Sequence, residues 1–247
     1  MIKKIIFILA LLCSTVFYAQ REMYELRVYE LKFGKPENVL HDYIKNALMP
    51  ALNRQGINNI GVFEEMGEAL PKKIYLFIPY ENMGAYQSTY EALKNDTVFE
   101  NASKTYNETD EQNFPFVRYS TAFFIAFKGF PKVVKPMDGT TVFELRTYES
   151  YNEDAFHRKV KMFNESELQI FKDVGLKPVF FGERIAGDYM PNLTYMLAFK
   201  DMKEHDDTWK KFGEHPEWQR IVNLPEYANA MNNIRRVFLK PLPYSKL

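Results

Sequence analysis

Tyr24-Glu25-Leu26-Arg27-Val28-Tyr29-Glu30 returns as Phe143-Glu144-Leu145-Arg146-Thr147-Tyr148-Glu149, an offset of 119 residues (143 − 24). The register holds without a gap well past the motif. Gly56 falls on Gly175, Glu64 on Glu183, Met83 on Met202, Tyr90 on Trp209, Leu93 on Phe212 and Phe99 on Trp218. A register kept that long means one supersecondary unit present twice. The 247 residues then divide into a leader over 1–20, a first domain over 21–129, a connector over 130–139 and a second domain over 140–247. Pro131, Pro136 and Gly139 punctuate the connector.

Each unit has the same order of elements. Residues 22–31 alternate, as do 141–149, and both read as strands. Apolar residues at helical spacing predict helices over 36–54 and 153–174, each ended by a glycine, Gly56 or Gly175. Strands follow over 57–66 and 72–80, joined across Gly67–Pro71, and over 178–186 and 192–200. A second helix starts near Asn82, with Met83, Tyr86, Tyr90 and Leu93 as its expected buried stripe. Its counterpart carries Met202, His205, Trp209 and Phe212. After a polar stretch over 95–113, Phe116–Phe127 reads as a long aromatic strand, and 232–240 as its match. The fold class is therefore α+β: two tandem ferredoxin-like βαββαβ domains. Two helices cover one face of each sheet, so the bare faces should pack together into a pseudo-twofold α/β barrel within one chain.

The strand alternation places Glu25, Arg27 and Tyr29 on one side, as it does Glu144, Arg146 and Tyr148. Tyr24, Leu26 and Val28 are assigned to the helix-covered side. The charged triplets are then expected to meet between the sheets, mutually paired, because unpaired buried charge is very costly.

Composition narrows the function. With 46% apolar and 26% charged residues, this is a soluble globular chain. Lys and Arg number 32 against 32 acidic residues and form no long run, so no nucleic-acid partner is expected. Lys3 and Lys4 precede the apolar run Ile5–Leu12, and a polar, small-residue stretch leads to Ala19-Gln20: the layout of a secretory signal peptide. That run is too short to span a bilayer, so no membrane span is expected after its removal. A periplasmic or secreted location follows as an expectation. Cys13, the one cysteine, lies inside the leader, which removes disulfides and thiolate chemistry from the mature chain.

Histidine is scarce: His41, His157, His205 and His215, at no zinc-binding spacing. No metal and no cofactor are expected. His205, Glu144 and Glu25 are the candidates for acid–base work. Arg27, Tyr29, Arg146, Tyr148, Trp209, Trp218, Tyr195 and Tyr86 are the candidates for ligand binding. The aromatic load of 16% suggests a slot between helices and sheet for a flat apolar molecule. Tyr86, Tyr90, Phe116, Phe123 and Phe124 in one half, and Phe180, Phe181, Tyr195, Trp209 and Trp218 in the other, are the candidates to line it.

Motifs in order along the chain point to a family. They are the paired Glu-Leu-Arg-x-Tyr strands, Pro191-Asn192-Leu193-Thr194-Tyr195-Met196-Leu197-Ala198-Phe199, His215-Pro216-Glu217-Trp218, and Leu239-Lys240-Pro241-Leu242-Pro243-Tyr244-Ser245. Over residues 22–247 the chain resembles NIPSNAP-family proteins. The first copy departs at Asp96-Thr97-Val98-Phe99, where Pro-Glu-Trp is expected, and at Pro79, which interrupts the third strand. The resemblance implies the dimeric α/β-barrel superfamily, whose members include small oxygenases, isomerases and haem-handling proteins. Fold likeness does not assign chemistry. The reading from sequence is an exported protein that binds a small apolar ligand or a protein partner. The alternatives are a cofactor-independent oxygenase, isomerase or decarboxylase, and a structural or homo-oligomeric subunit.

Overall fold

The computed structural model describes residues 20–247; the expected leader and Cys13 lie outside the described residues. The first repeat contains β1 (Met23–Leu31), α1 (38–54), β2 (Gly61–Glu65), β3 (Lys73–Tyr80), α2 (Met83–Lys94), α3 (Thr97–Ala102), α4 (Lys104–Glu108) and β4 (Phe116–Ala126). The second contains β5 (Val142–Glu149), α5 (153–174), β6 (Pro178–Ala186), β7 (Asn192–Phe199), α6 (Met202–Glu214), α7 (Pro216–Ile221), a 3-10 turn at Pro225–Tyr227, and β8 (Asn233–Pro241). The short helices α3 and α4 occupy part of the polar stretch over 95–113; Asp96 starts the first by accepting a hydrogen bond from the Phe99 amide.

The repeat extends to fine detail. Both first helices wind one π turn at matched places, Tyr43–Leu48 and Phe163–Glu167. Gly56 and Gly175 both have φ near +80°, the left-handed conformation that ends a helix. Asn82 and Asp201 cap α2 and α6 from equivalent positions, each side chain accepting the amide three residues on.

Each repeat forms a four-stranded antiparallel sheet, β4-β1-β3-β2 and β8-β5-β7-β6, and the two join into one closed barrel. One seam pairs β2 with β8 over Phe63–Glu65; the other pairs β4 with β6 over Phe123–Ala126. At the second seam Gly182 has no side chain to spare: a Cβ there would sit 2.6 Å from that of Phe124. Pro79 does not break β3. It lies opposite Tyr24 and beyond the stretch that pairs with β2, where no ladder partner needs its missing amide on that side.

Three apolar cores result. One fills the barrel, with Tyr24, Leu26, Phe63, Phe77, Phe124, Phe143, Leu145 and Phe180. The other two lie outside it, each between one sheet and its own helices. This reverses the expected faces. Tyr24 and Leu26 point into the barrel, and the Glu-Arg-Tyr triplets face the helices, one on each outer side. The middle of the barrel is filled by large apolar side chains from both sheets, so it takes the apolar face. Under the helices the charged groups find hydroxyl and indole donors. The triplets do not lock the sheets together. Pairing at the seams and the shared interior core do.

Candidate functional site

In the first repeat Glu25 and Arg27 lie side by side on β1. Glu25 is 2% exposed, and both its oxygens are fully engaged. Oε1 accepts from Arg27 Nε at 2.5 Å and Thr121 Oγ1 at 2.9 Å; Oε2 accepts from Arg27 Nη2 and the Tyr80 hydroxyl, both at 3.1 Å. Burial alone would draw the Arg27 guanidinium down, but Glu25 outweighs it and holds the proton well above the ordinary arginine value. Above this pair a cavity of about 300 Å³ opens to solvent, walled by Tyr43, Leu48, Tyr86, Tyr90, Leu93, Phe99 and Tyr119. A second hollow of about 330 Å³ adjoins it, sharing Tyr43, Leu93, Lys94 and Phe99, and reaches the buried, unpartnered Ser103 hydroxyl.

The cavity exists because the side chains of α2 do not fill the space over this pair. Only Thr89 of that helix is buried; Met83 is 45% and Tyr90 51% exposed, against the expectation of a buried stripe. Tyr86 reaches down to pack edge-on against Tyr80 and Phe123, and burial, with Glu25 nearby, pushes its phenol upward. Tyr90 instead lies under the Lys94 ammonium, 4.6 Å from the ring centre.

The second repeat carries the same pair, but its cavity is filled. Arg146 Nε donates to Glu144 at 2.7 Å, and the Trp209 indole donates to the other Glu144 oxygen at 2.9 Å. The same indole lies against the Arg146 guanidinium, 3.6 Å from the ring centre, a contact worth about 0.5–2 kcal/mol. Trp209 stands where the first repeat has Tyr90. Phe212 and Trp218 pack beside it, where the first repeat has Leu93 and Phe99. The Tyr195 hydroxyl donates to Tyr148, which also accepts from Arg146, and full burial keeps Tyr195 protonated far above its usual range. His205 is buried between Phe199 and Phe238. Its Nδ1 faces Asp206, and its Nε2 lies 3.3 Å from Glu144 without the alignment of a hydrogen bond.

The expected residues thus divide. Glu25, Arg27 and Tyr86 line one open cavity, with Tyr29 buried beside them. Glu144, Arg146, Tyr148, Tyr195, His205, Trp209 and Trp218 form one packed polar cluster. Phe124 and Phe180 belong to the barrel interior, not to a slot under the helices. His41 bonds the Tyr244 hydroxyl, His157 is exposed, and His215 caps α7 by accepting the Glu217 amide. Tyr43, Tyr80, Tyr119 and Thr121 were not singled out from sequence. Their signal lies in the positions where the repeats differ: Tyr80 falls on Phe199 and Tyr43 on Met162. Among the described residues no cluster of three His, Cys, Asp or Glu could hold a metal, and no helix is long and apolar enough to cross a membrane.

The family model described as NIPSNAP matches residues 24–121 and 143–246. No curated protein sequence matches the chain. Among solved structures, a proposed monooxygenase from Lactobacillus acidophilus NCFM superposes with TM-score 0.61 at 12% identity, covering 90% of this chain and 94% of that one. A proposed monooxygenase from Fusobacterium nucleatum gives 0.58 at 10% identity, covering 91% and 94%. An anthrone oxidase-like protein gives 0.50 at 6% identity, covering 91% and 93%. These likenesses establish the shared barrel fold.

Proposed function

The chain belongs to the NIPSNAP family, and from that premise we propose that it binds one small molecule with a flat apolar body in the cleft of its first repeat. The observation that carries this reading is the difference between two copies of one site. Where the second repeat seats Trp209 on its arginine, the first leaves the space above Arg27 open and walls it with tyrosines. Its volume of about 300 Å³ is at the lower end for small-molecule sites, and the adjoining hollow gives a longer ligand room. Arg27 at the floor and Lys94 at the mouth favour a phenolate, carboxylate or carbonyl head.

The names of the structural neighbours favour a second reading, a cofactor-independent oxygenase acting on a ring compound. Catalysis by Glu25 would need a lone pair free for a substrate proton, and four donors already occupy the carboxylate. Binding is therefore the better-supported reading.

Calorimetric titration with 1-naphthoate tests it. Tyr90→Trp, which copies the filled repeat, should weaken binding by at least about tenfold with little change in melting temperature. Unchanged affinity in the folded variant would sink the proposal. Dioxygen uptake with an anthrone, followed at an electrode, tests the oxygenase reading; uptake no faster than without protein would remove it. The leader over residues 1–20 further supports export, to be checked by sequencing the N-terminus of protein recovered from cell fractions.

A further inference from the structure

The barrel interior holds a second site, remote from the helices. Around its middle the core is solid with Tyr24, Phe63, Phe77, Phe124, Phe143 and Phe180. Towards the end where β1 reaches Val28 and β5 reaches Thr147 the side chains become smaller. A hollow of about 160 Å³ remains there. Leu26, Val28, Leu145 and Val237 give it apolar walls, drawn from both repeats.

The barrel wall is incomplete at this point. β4 pairs with β6 only over Phe123–Ala126, so Ser120 has no strand on that side. The β6–β7 loop crosses the gap instead. Gly187 presses against the wall so closely that a Cβ would meet that of Ala122 at 3.0 Å. Tyr189 holds φ at 61°, an uncommon value for a bulky residue, and its ring lies 3.9 Å from the Arg235 guanidinium carbon.

Arg184 makes this hollow more than a packing gap. Its Nη1 donates to the Asp188 carbonyl, and its guanidinium lies over the Phe124 ring at 5.0 Å. Its Nε is buried and has no acceptor among the described residues. Among the described residues no carboxylate lies within ion-pair distance of Arg184, because Glu149 is committed to Arg235 and Asn233. Burial lowers the Arg184 proton affinity to about 10, with Asp188 and Glu149 opposing it only from farther off. A buried donor left unmade is costly, and a charged one more so. The symmetric scaffold does not demand an arginine here: the matching residue of the first repeat is Glu65, which accepts from Tyr75.

We propose that this hollow binds a short-chain monocarboxylate, its head on the Arg184 guanidinium near the Ser120 hydroxyl and its alkyl tail on Leu26, Val28, Leu145 and Val237. Size and charge set the class. At roughly 30 Å³ for a water-sized group, the hollow holds about five such groups, enough for a carboxylate with a short tail and too little for a ring system. Asp188 at the rim opposes a second negative charge. The site is independent of the tyrosine-walled cleft, and its occupant is smaller.

The test is a titration of the whole chain with sodium butyrate at constant ionic strength, followed by methyl resonances of Leu26, Val28, Leu145 and Val237. Saturable shifts in the millimolar range are expected, with none from butyramide. Arg184→Gln should weaken binding by about tenfold or more. Should that variant fail to fold, Val28→Phe fills the hollow while keeping the arginine and should abolish the shifts. Tyr90→Trp should leave them unchanged, which separates this site from the cleft. Shifts that never saturate in the wild type would overturn the proposal. So would undiminished butyrate binding in folded Arg184→Gln or Val28→Phe.

Discussion

Lys159 and Glu167 stand where Leu40 and Leu48 stand in the first repeat, and the comparison isolates what a buried ion pair does. Lys159 is 5% exposed, bonds Glu167, and faces the rings of Tyr148, Phe163 and Trp218. Burial pushes the Glu167 carboxyl upward, although Lys159 opposes this. Removing either partner leaves the other unpaired, so Lys159→Leu alone or Glu167→Leu alone should cost about 3–5 kcal/mol in denaturant unfolding. The double variant, which restores the leucine pair of the first repeat, should recover most of that loss. Trp209→Ala is the matching test of the filled site. It strips the indole from Arg146 and one donor from Glu144, and should cost about 3–5 kcal/mol. A loss well below 1 kcal/mol would mean that the indole covers the arginine without holding it.

At the scale of elements, each seam carries a glutamate from an equivalent position. Glu64 on β2 reaches Lys72 at 2.9 Å and Lys240 of β8 at 3.5 Å, and Glu183 on β6 bonds Arg21 at 2.8 Å. Burial pushes Glu64 up, but the two ammonium groups win and hold it below its ordinary value of 4.5. A carboxyl lowered on folding stabilises above its unfolded value, and that contribution fades as pH falls through the folded one. Melting temperature should therefore drop below about pH 4.5, and Glu64→Gln should flatten this acid limb while lowering the plateau at neutral pH. An acid limb identical in the variant would rule the seam glutamate out as its source. Strands, helices, glycine ends and the barrel were legible from the repeated register because each follows from local spacing. The orientation of β1 was not. In this fold both faces of an inner strand are covered, one by helices and one by the opposite sheet, so Tyr24 and Tyr29 look equally apolar from sequence. Nor was the open space under α2 legible: Met83, Tyr86, Tyr90 and Leu93 mark one face, but helical spacing does not say how fully those side chains fill the space beneath.

For the whole molecule, closure makes each repeat dependent on the other. Separated, residues 21–129 would expose Tyr24, Leu26, Phe77 and Phe124 to water on a bare sheet. An apolar patch of that kind is covered by association. That half should therefore run as a dimer or larger in size-exclusion chromatography with light scattering, and a well-folded monomer would contradict the account of the barrel core. The connector is held by both halves, through the Val133 amide on Glu22 and the Val134 amide on the Val179 carbonyl. Covalent linkage has a further result. A barrel assembled from two identical separate chains must carry any substitution on both flanks at once, so an indole plug would close both clefts or neither. Here a single gene can write Trp209 on one flank and Tyr90 on the other. Stoichiometry is thereby fixed by connectivity: titration with a cleft ligand should saturate at one equivalent per chain, half of what the pseudosymmetry of the backbone would suggest.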